Sequence, residues 1–306
     1  MTSLILRTKS FFNLFGGING PKKRMTLFIV VPAIIYYLIL RYYPVFQTMI
    51  LSLTDAKLLK KEYQFVGFEN YAFIFKDPPF VKAILNTTMY AFATTLFTVV
   101  LALILAFLLN PLPYGNNFMR LLFYLPMITS GIAIATIWLW LYQARFGLFN
   151  QVLGYYGITP VPWLISKEWA LPSLIIMAIW GGVGYDAIIF IAGIRGIPTE
   201  YNEAAKIDGA TDWQMALYIT LPLMSRVIVF IVVTSIIGSF QVFQQVFLMT
   251  RGGPLDSTRV ISLSIYDYAF SRLKIGVSAS MAFVLFIIVG VLTVIQLRMQ
   301  REDWEL

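Results

Sequence analysis

Six solidly apolar runs, separated by polar stretches, make up about half of the chain: residues 26–51, 82–109, 119–142, 170–194, 223–249 and 276–297. Each reaches the roughly 20 residues that an α-helix needs to cross about 30 Å of hydrocarbon. The runs do not alternate apolar and polar positions, which excludes barrel strands and predicts membrane-spanning helices. The connections differ in character. Residues 54–81 are polar and aromatic, and 110–118 carry Pro111 and Pro113, which bar a continuous helix. Residues 143–169 are rich in Trp, Tyr, Gly and Pro, as a loop at the membrane interface should be. Residues 250–274 open on the turn-forming Arg251-Gly252-Gly253-Pro254.

One stretch, 195–226, is polar, charged and glycine-broken although long apolar runs flank it. Pro198-Thr199 suits a helix start with Thr199 as N-cap, and places Glu200 and Glu203 in a first turn whose dipole favours acids. Gly209 predicts a helix stop. Thr211 and Gln214 form the Thr-x-x-Gln pattern of a capping box, and Pro222 predicts the end of a second short helix. Tyr201, Ala204 and Ala205 share a face by i, i+3, i+4 spacing, and the two alanines permit close approach of another surface.

Composition narrows the function classes. Of 306 residues, 59% are hydrophobic and 12% charged, against about 25% charged in a soluble domain. The chain has no Cys and no His, which removes disulfides, thiolate nucleophiles and histidine-based acid–base or metal chemistry. The net charge of +8 suits basic flanks at anionic headgroups. The first apolar run lacks a small-residue cleavage site, so it reads as retained. Lys and Arg divide equally between the two sides of the membrane. The Lys22-Lys23-Arg24 cluster before the first run therefore decides for cytoplasmic termini.

Four residues inside the apolar runs are candidates for a substrate path. Asp186 stands mid-run, where an ionisable group faces a cavity or a partner, with Gly182 and Gly193 on its helical face. A pair with Arg41 or an interhelical hydrogen bond is the alternative. Gln241, Gln244 and Gln245 share a face by i, i+3, i+4 spacing, which points to a polar cavity or to interhelical hydrogen bonds. Trp138, Trp140 and Trp163 fit an interfacial belt.

"EAAKIDGATDWQMALYITLP" resembles the EAA loop of ATP-binding-cassette importer permeases. That pattern is Glu-Ala-Ala, three residues, Gly, nine residues, Ile, one residue, Leu-Pro. Glu203, Ala204, Ala205, Gly209, Ile219, Leu221 and Pro222 fit it without a gap. "VGFENYAFIFKDPPFVKAILNTTMYA" and "TRGGPLDSTRVISLSIYDYAF" are similar to segments of the sugar-importing branch, related to the maltose transporter permeases. The resemblance implies an all-α integral membrane protein with the type I importer permease fold. It would have six transmembrane helices in 26–298, short cytoplasmic tails at 1–25 and 299–306, and a cytoplasmic coupling loop at 195–226. It further implies a multi-pass location in the cell (plasma or inner) membrane, a second homologous permease, two ATP-binding subunits and an extracytoplasmic solute-binding protein. The substrate would be a sugar, oligosaccharides foremost, with glycerol phosphate or another polyol as the alternative. No G-x-x-x-x-G-K-[ST] occurs in the chain, so ATP would be held by the separate subunits and no cofactor is expected here. An ion-coupled transporter would need more intramembrane charges than Asp186 and Arg41. A membrane enzyme would need a paired acid, base or nucleophile.

Overall fold

The computed structural model describes residues 21–60, 62–110 and 116–299. Pro111 and Pro113, and the tails beyond these limits, lie outside the described residues. The chain divides into two compact units at Leu51/Ser52. In the first, α1 (Pro21–Tyr37) runs through a π-helical turn at Leu38–Tyr42, which contains Arg41, into α2 (Tyr43–Leu51).

The second unit holds α3 (Glu69–Lys76), α4 (Pro78–Leu109), α5 (Asn116–Ile128), α6 (Gly131–Leu141), α7 (Leu148–Tyr155) and α8 (Ala170–Arg195). After these come α9 (Thr199–Ile207), α10 (Asp212–Met215), α11 (Leu221–Leu223), α12 (Ser225–Phe240), α13 (Gln244–Met249), α14 (Ile261–Tyr266) and α15 (Ile275–Met299). Among the described residues, five helical stretches are long and apolar enough to cross a membrane. A sixth is present as a bent pair, Phe118–Ile128 and Gly131–Leu141, which meet at 95°. The third run is thus not one straight helix. Pro126 removes a backbone donor inside α5, and Ser130 adopts an extended ψ of 126° before α6 starts at Gly131.

Helix α4 is the spine of the second unit and packs against α8 and α12. Its buried positions include Ala83, Thr87, Ala91, Thr94, Thr98, Ala102 and Ala106, a stripe of small residues every three or four positions. Lipid tails are as apolar as leucine, so helices associate in a bilayer by close packing, which small residues permit. Glycines on α8 take this furthest. A Cβ on Gly182 would lie 3.1 Å from the Thr98 methyl, and one on Gly184 would lie 1.7 Å from the backbone oxygen of Phe123 on α5. Gly193 likewise presses on Met224 and Val227. The surface flanking Asp186 is closely packed.

At the end of the unit opposite residues 195–226, side chains satisfy loop backbone. Asn70 donates to the carbonyls of Ser52 and Thr54, each at 2.8 Å. Asn86 donates to those of Asp256 and Arg259, and Thr87 Oγ1 accepts from the Ile261 amide at 3.0 Å. Arg259 bridges Asp256 and Asp267. Burial opposes its charge, but the two carboxylates outweigh that and raise its pKa above the ordinary value. Burial, and then the Asp77 carboxylate that accepts its hydroxyl proton, push Tyr268 up to about 12. Trp138, Tyr142, Phe149 and Trp163 stack into one aromatic cluster. Trp138 and Trp163 find aromatic partners within the chain, whereas Trp140 is exposed.

Gly184→Ala should force α5 off α8. We expect a loss of about 1–3 kcal/mol or more, read as a lower thermal midpoint of the purified protein. Gly290→Ala, whose Cβ would meet nothing within 4 Å, should leave the midpoint unchanged or raise it.

Candidate functional site: a protruding loop and paired helix breaks

The first site is the 195–226 loop. Its opening helix α9 starts one residue earlier than a Thr199 cap would place it. Pro198 occupies the cap with ψ 137°, and Thr199 is the first helical residue, without a side-chain capping bond. Proline suits this place because its fixed φ fits and its missing N–H would lack a helical partner there in any case. The helix closes at Gly209, whose φ of +79° favours glycine, with the Ala210 amide donating to the Ala205 carbonyl at 2.9 Å. Thr211 then caps α10 reciprocally with Gln214, forming the expected capping box.

Pro222 does not end this second helix. A π-helical turn at Ala216–Thr220 precedes it, and helical backbone continues through α11 to Leu223. The wider turn just upstream accommodates the proline ring and its missing donor.

Glu203, Ala204, Tyr201 and Pro222 are exposed, whereas Ala205 is buried within the chain and Ile219 and Leu221 are partly buried. Of the alanine pair, only Ala204 is therefore open to another surface. Three large side chains that the motif does not include are also presented: Ile207 at 86%, Tyr218 at 75% and Trp213 at 72% exposure. Between the two helices lies a concavity of about 310 Å³ lined by Asp208, Gly209, Ala210, Gln214, Tyr218 and Ile219.

The second site lies at membrane depth. Helix α12 stops at Phe240, and α13 starts only at Gln244 after Phe243 takes φ −142°. The three glutamines consequently do not share one helical face. Gln241 sits in the break and is exposed, Gln244 opens α13 and is exposed, and Gln245 Nε2 donates to the Tyr90 hydroxyl at 2.9 Å. The bend between α5 and α6 is adjacent. Helix α6 packs on α13, and a Cβ on Gly131 would lie 2.8 Å from Gln244 Oε1. Two helix breaks thus meet, each followed by a helix whose first amides have no intrahelical acceptor. Non-helical backbone at this depth is tolerated only where protein buries it or water reaches it. Exposed amides and free backbone donors together offer hydrogen bonds to an uncharged polar solute.

Asp186 is 5% exposed and accepts a hydrogen bond from Ser235 Oγ at 3.2 Å. This bond ties α8 to α12, as the Tyr90–Gln245 bond ties α4 to α13. No cluster of His, Cys, Asp and Glu with metal-ligand geometry occurs among the described residues.

A bundle of apolar spans with broken helices inside and a capped two-helix loop projecting from it defines a transport subunit of a membrane. The family model described as binding-protein-dependent transport system inner membrane component matches residues 98–301, and the chain belongs to that family. Its members are permease subunits of ATP-binding-cassette importers, which are transporter components rather than enzymes, and the fold is the type I permease fold. The probable ABC transporter permease protein YurN of Bacillus subtilis is 33% identical over 273 residues, 88% of this chain and 93% of that protein. The multiple sugar-binding transport system permease protein MsmF of Streptococcus mutans is 31% identical over 275 residues, 90% and 94% of the two chains. The crystal structure of a bacterial ABC transporter involved in the import of the acidic polysaccharide alginate contains a similar chain. It superposes with a TM-score of 0.81 at 25% identity, covering 93% of this chain and 97% of that one.

If Ser235 and Gln245 act as helix ties, Ser235→Ala and Gln245→Leu should each cost about 1 kcal/mol of thermal stability. Transport per assembled complex should keep its substrate dependence. An altered apparent affinity at unchanged stability would instead place Asp186 and Gln245 on the solute path.

Proposed function

We propose that this chain is one permease half of an ATP-driven, binding-protein-dependent importer of sugars, with oligosaccharides as the foremost substrate class. It pairs with a second homologous permease and two ATP-binding subunits, and it receives solute from an extracytoplasmic binding protein. Both termini and the 195–226 loop face the cytoplasm of the cell membrane. The observation that carries this reading is the loop itself. A complete EAA pattern is folded as two short helices, with Glu203 and Ala204 exposed and a concavity between the helices. A membrane chain has no internal use for such a projection, whereas docking to a soluble motor needs one. The names of relatives such as MsmF support sugar as the solute class.

In this reading α9 is the coupling helix. Glu203 offers its carboxylate to a basic group on the ATPase, a charge-assisted contact. Ala204 admits close approach, and Gly209 sets the angle between the two short helices. Ile219, Leu221 and Pro222 carry the movement into α12. ATP-driven approach of the motor subunits moves the loop, and the loop moves the base of the bundle. The solute path runs past the paired helix breaks, with Gln241 and Gln244 as hydrogen-bonding groups. Asp186 and Gln245 hold the helices behind it.

Glu203→Lys tests the coupling role, because Glu203 is exposed and its replacement should leave folding intact. In vesicles holding the complete transporter, binding-protein-stimulated ATP hydrolysis and sugar uptake should fall by about tenfold or more, at unchanged yield of inserted chain. Wild-type stimulation and uptake would refute the docking role.

A further inference from the structure

A cavity of about 610 Å³ lies at the end of the bundle opposite the 195–226 loop, and neither the coupling nor the path assignment uses it. It is bounded by the far ends of the two helices that leave the paired breaks. Gly131 and Gln244 meet at the breaks, and Leu139 of α6 and Met249 of α13 both line the cavity. The helix rises about 12 Å from Gly131 to Leu139 and about 8 Å from Gln244 to Met249. Helices α6 and α13 pack on each other, so the cavity stands one short helix outward from the breaks.

The wall offers both kinds of contact that a sugar ring uses. Leu139, Leu164 and Met249 supply apolar surface, and Gln143 and Arg145 supply donors. Gln143 Oε1 accepts from the Arg145 amide at 2.8 Å, which fixes the side chain and leaves its Nε2 to donate. Arg145 is exposed, and no ion pair reaches it among the described residues. No Asp or Glu lines the cavity. Its shape is held by bonds of the surrounding loops: Thr258 Oγ1 donates to the Gly253 carbonyl at 2.8 Å, and Trp163 Nε1 donates to Asn150 Oδ1 at 3.0 Å. Largely pre-formed cavities of roughly 300–1,000 Å³, mostly apolar with a few placed polar groups, are the usual sites for small molecules.

We propose that this cavity is an outer subsite of the solute path, and that it holds the trailing sugar unit of a saccharide whose leading unit lies at the breaks. The assignment rests on the sugar-import reading above. A separation of about 8–12 Å exceeds one pyranose ring, so only a saccharide of two or more units fills both places. Gln143 and Arg145 donate to its hydroxyl oxygens, and the apolar wall takes the C–H face of the ring. An apolar segment of a partner protein would leave the amide and the guanidinium unmet, which is costly. An acidic side chain would match Arg145 alone and leave most of the cavity unfilled. The subsite therefore makes the path favour longer saccharides over single sugars.

The test uses the complete transporter with its partner subunits and binding protein, held with ATP and vanadate, and reads labelling of single thiols in this cysteine-free chain. Ala144→Cys reports on the cavity, whose wall Ala144 joins, and Gln244→Cys on the breaks. A small membrane-impermeant thiol reagent is applied with maltotetraose, cellotetraose, xylotetraose or chitotetraose, each against its single unit. A tetrasaccharide that slows labelling of Gln244→Cys should also slow that of Ala144→Cys, by about fivefold, and its single unit should not protect Ala144→Cys. Adding Arg145→Gln, a change at an exposed position that the fold tolerates, should remove most of the protection at Ala144→Cys and keep it at Gln244→Cys. Protection of Gln244→Cys without protection of Ala144→Cys would overturn the subsite and leave the import reading standing. Protection of Ala144→Cys by the binding protein without sugar would overturn it in favour of protein docking. Protection of neither thiol by any of these sugars would overturn the import reading, and the subsite with it.

Discussion

Inside a bilayer each backbone N–H and C=O must find a partner within the protein or in trapped water, because hydrocarbon offers none and an unmet group costs several kcal/mol. That constraint makes α4, α8, α12 and α15 continuous helices. It also gives meaning to the places where helices stop. The bend between α5 and α6 and the gap between α12 and α13 lie side by side, with the Gln244 amide over Gly131. Two such breaks brought together concentrate unmet donors in one place. A solute path is the arrangement in which they are of use.

Small residues make this geometry reachable. The Ala and Thr stripe of α4 and the glycines of α8 let helices approach to backbone contact, so that α5 presses on Gly184 and its continuation turns away through 95°. Polar ties, Tyr90 to Gln245 and Ser235 to Asp186, then fix the helices that carry the breaks. At one end, Asn70, Asn86, Thr87 and Arg259 bind loop backbone into a rigid rim. The other end carries the projecting 195–226 loop, and between rim and loop the bundle can transmit a push.

The spans were legible in the sequence because twenty apolar residues in a row have few alternatives. The loop was legible because Gly209 and the Thr211–Gln214 box act locally, within three or four residues. The breaks were not. Reading Gln241, Gln244 and Gln245 as one face assumed an unbroken helix, and no proline marks that gap. At the first break Pro126 and Ser130-Gly131 were available signals, masked by the apolar residues around them. The small motifs near Asn70 and Asn86 read as family markers, while their physical role as acceptor-seeking clamps depends on carbonyls 16 to 173 residues distant in the chain. The burial of Ala205 and the exposure of Ile207, Trp213 and Tyr218 likewise depend on tertiary contacts that periodicity over nine residues does not encode.

The central claim is that water reaches the paired breaks. The chain has no native cysteine, so single introduced thiols report without background. In the assembled transporter, Gln241→Cys and Gln244→Cys should react with a small membrane-impermeant thiol reagent, and transported sugar should slow that reaction. Val291→Cys, on an exposed apolar face of α15, should stay inert in lipid. If Gln244→Cys reacts no faster than Val291→Cys in any nucleotide state, the breaks are dry and the solute path lies elsewhere.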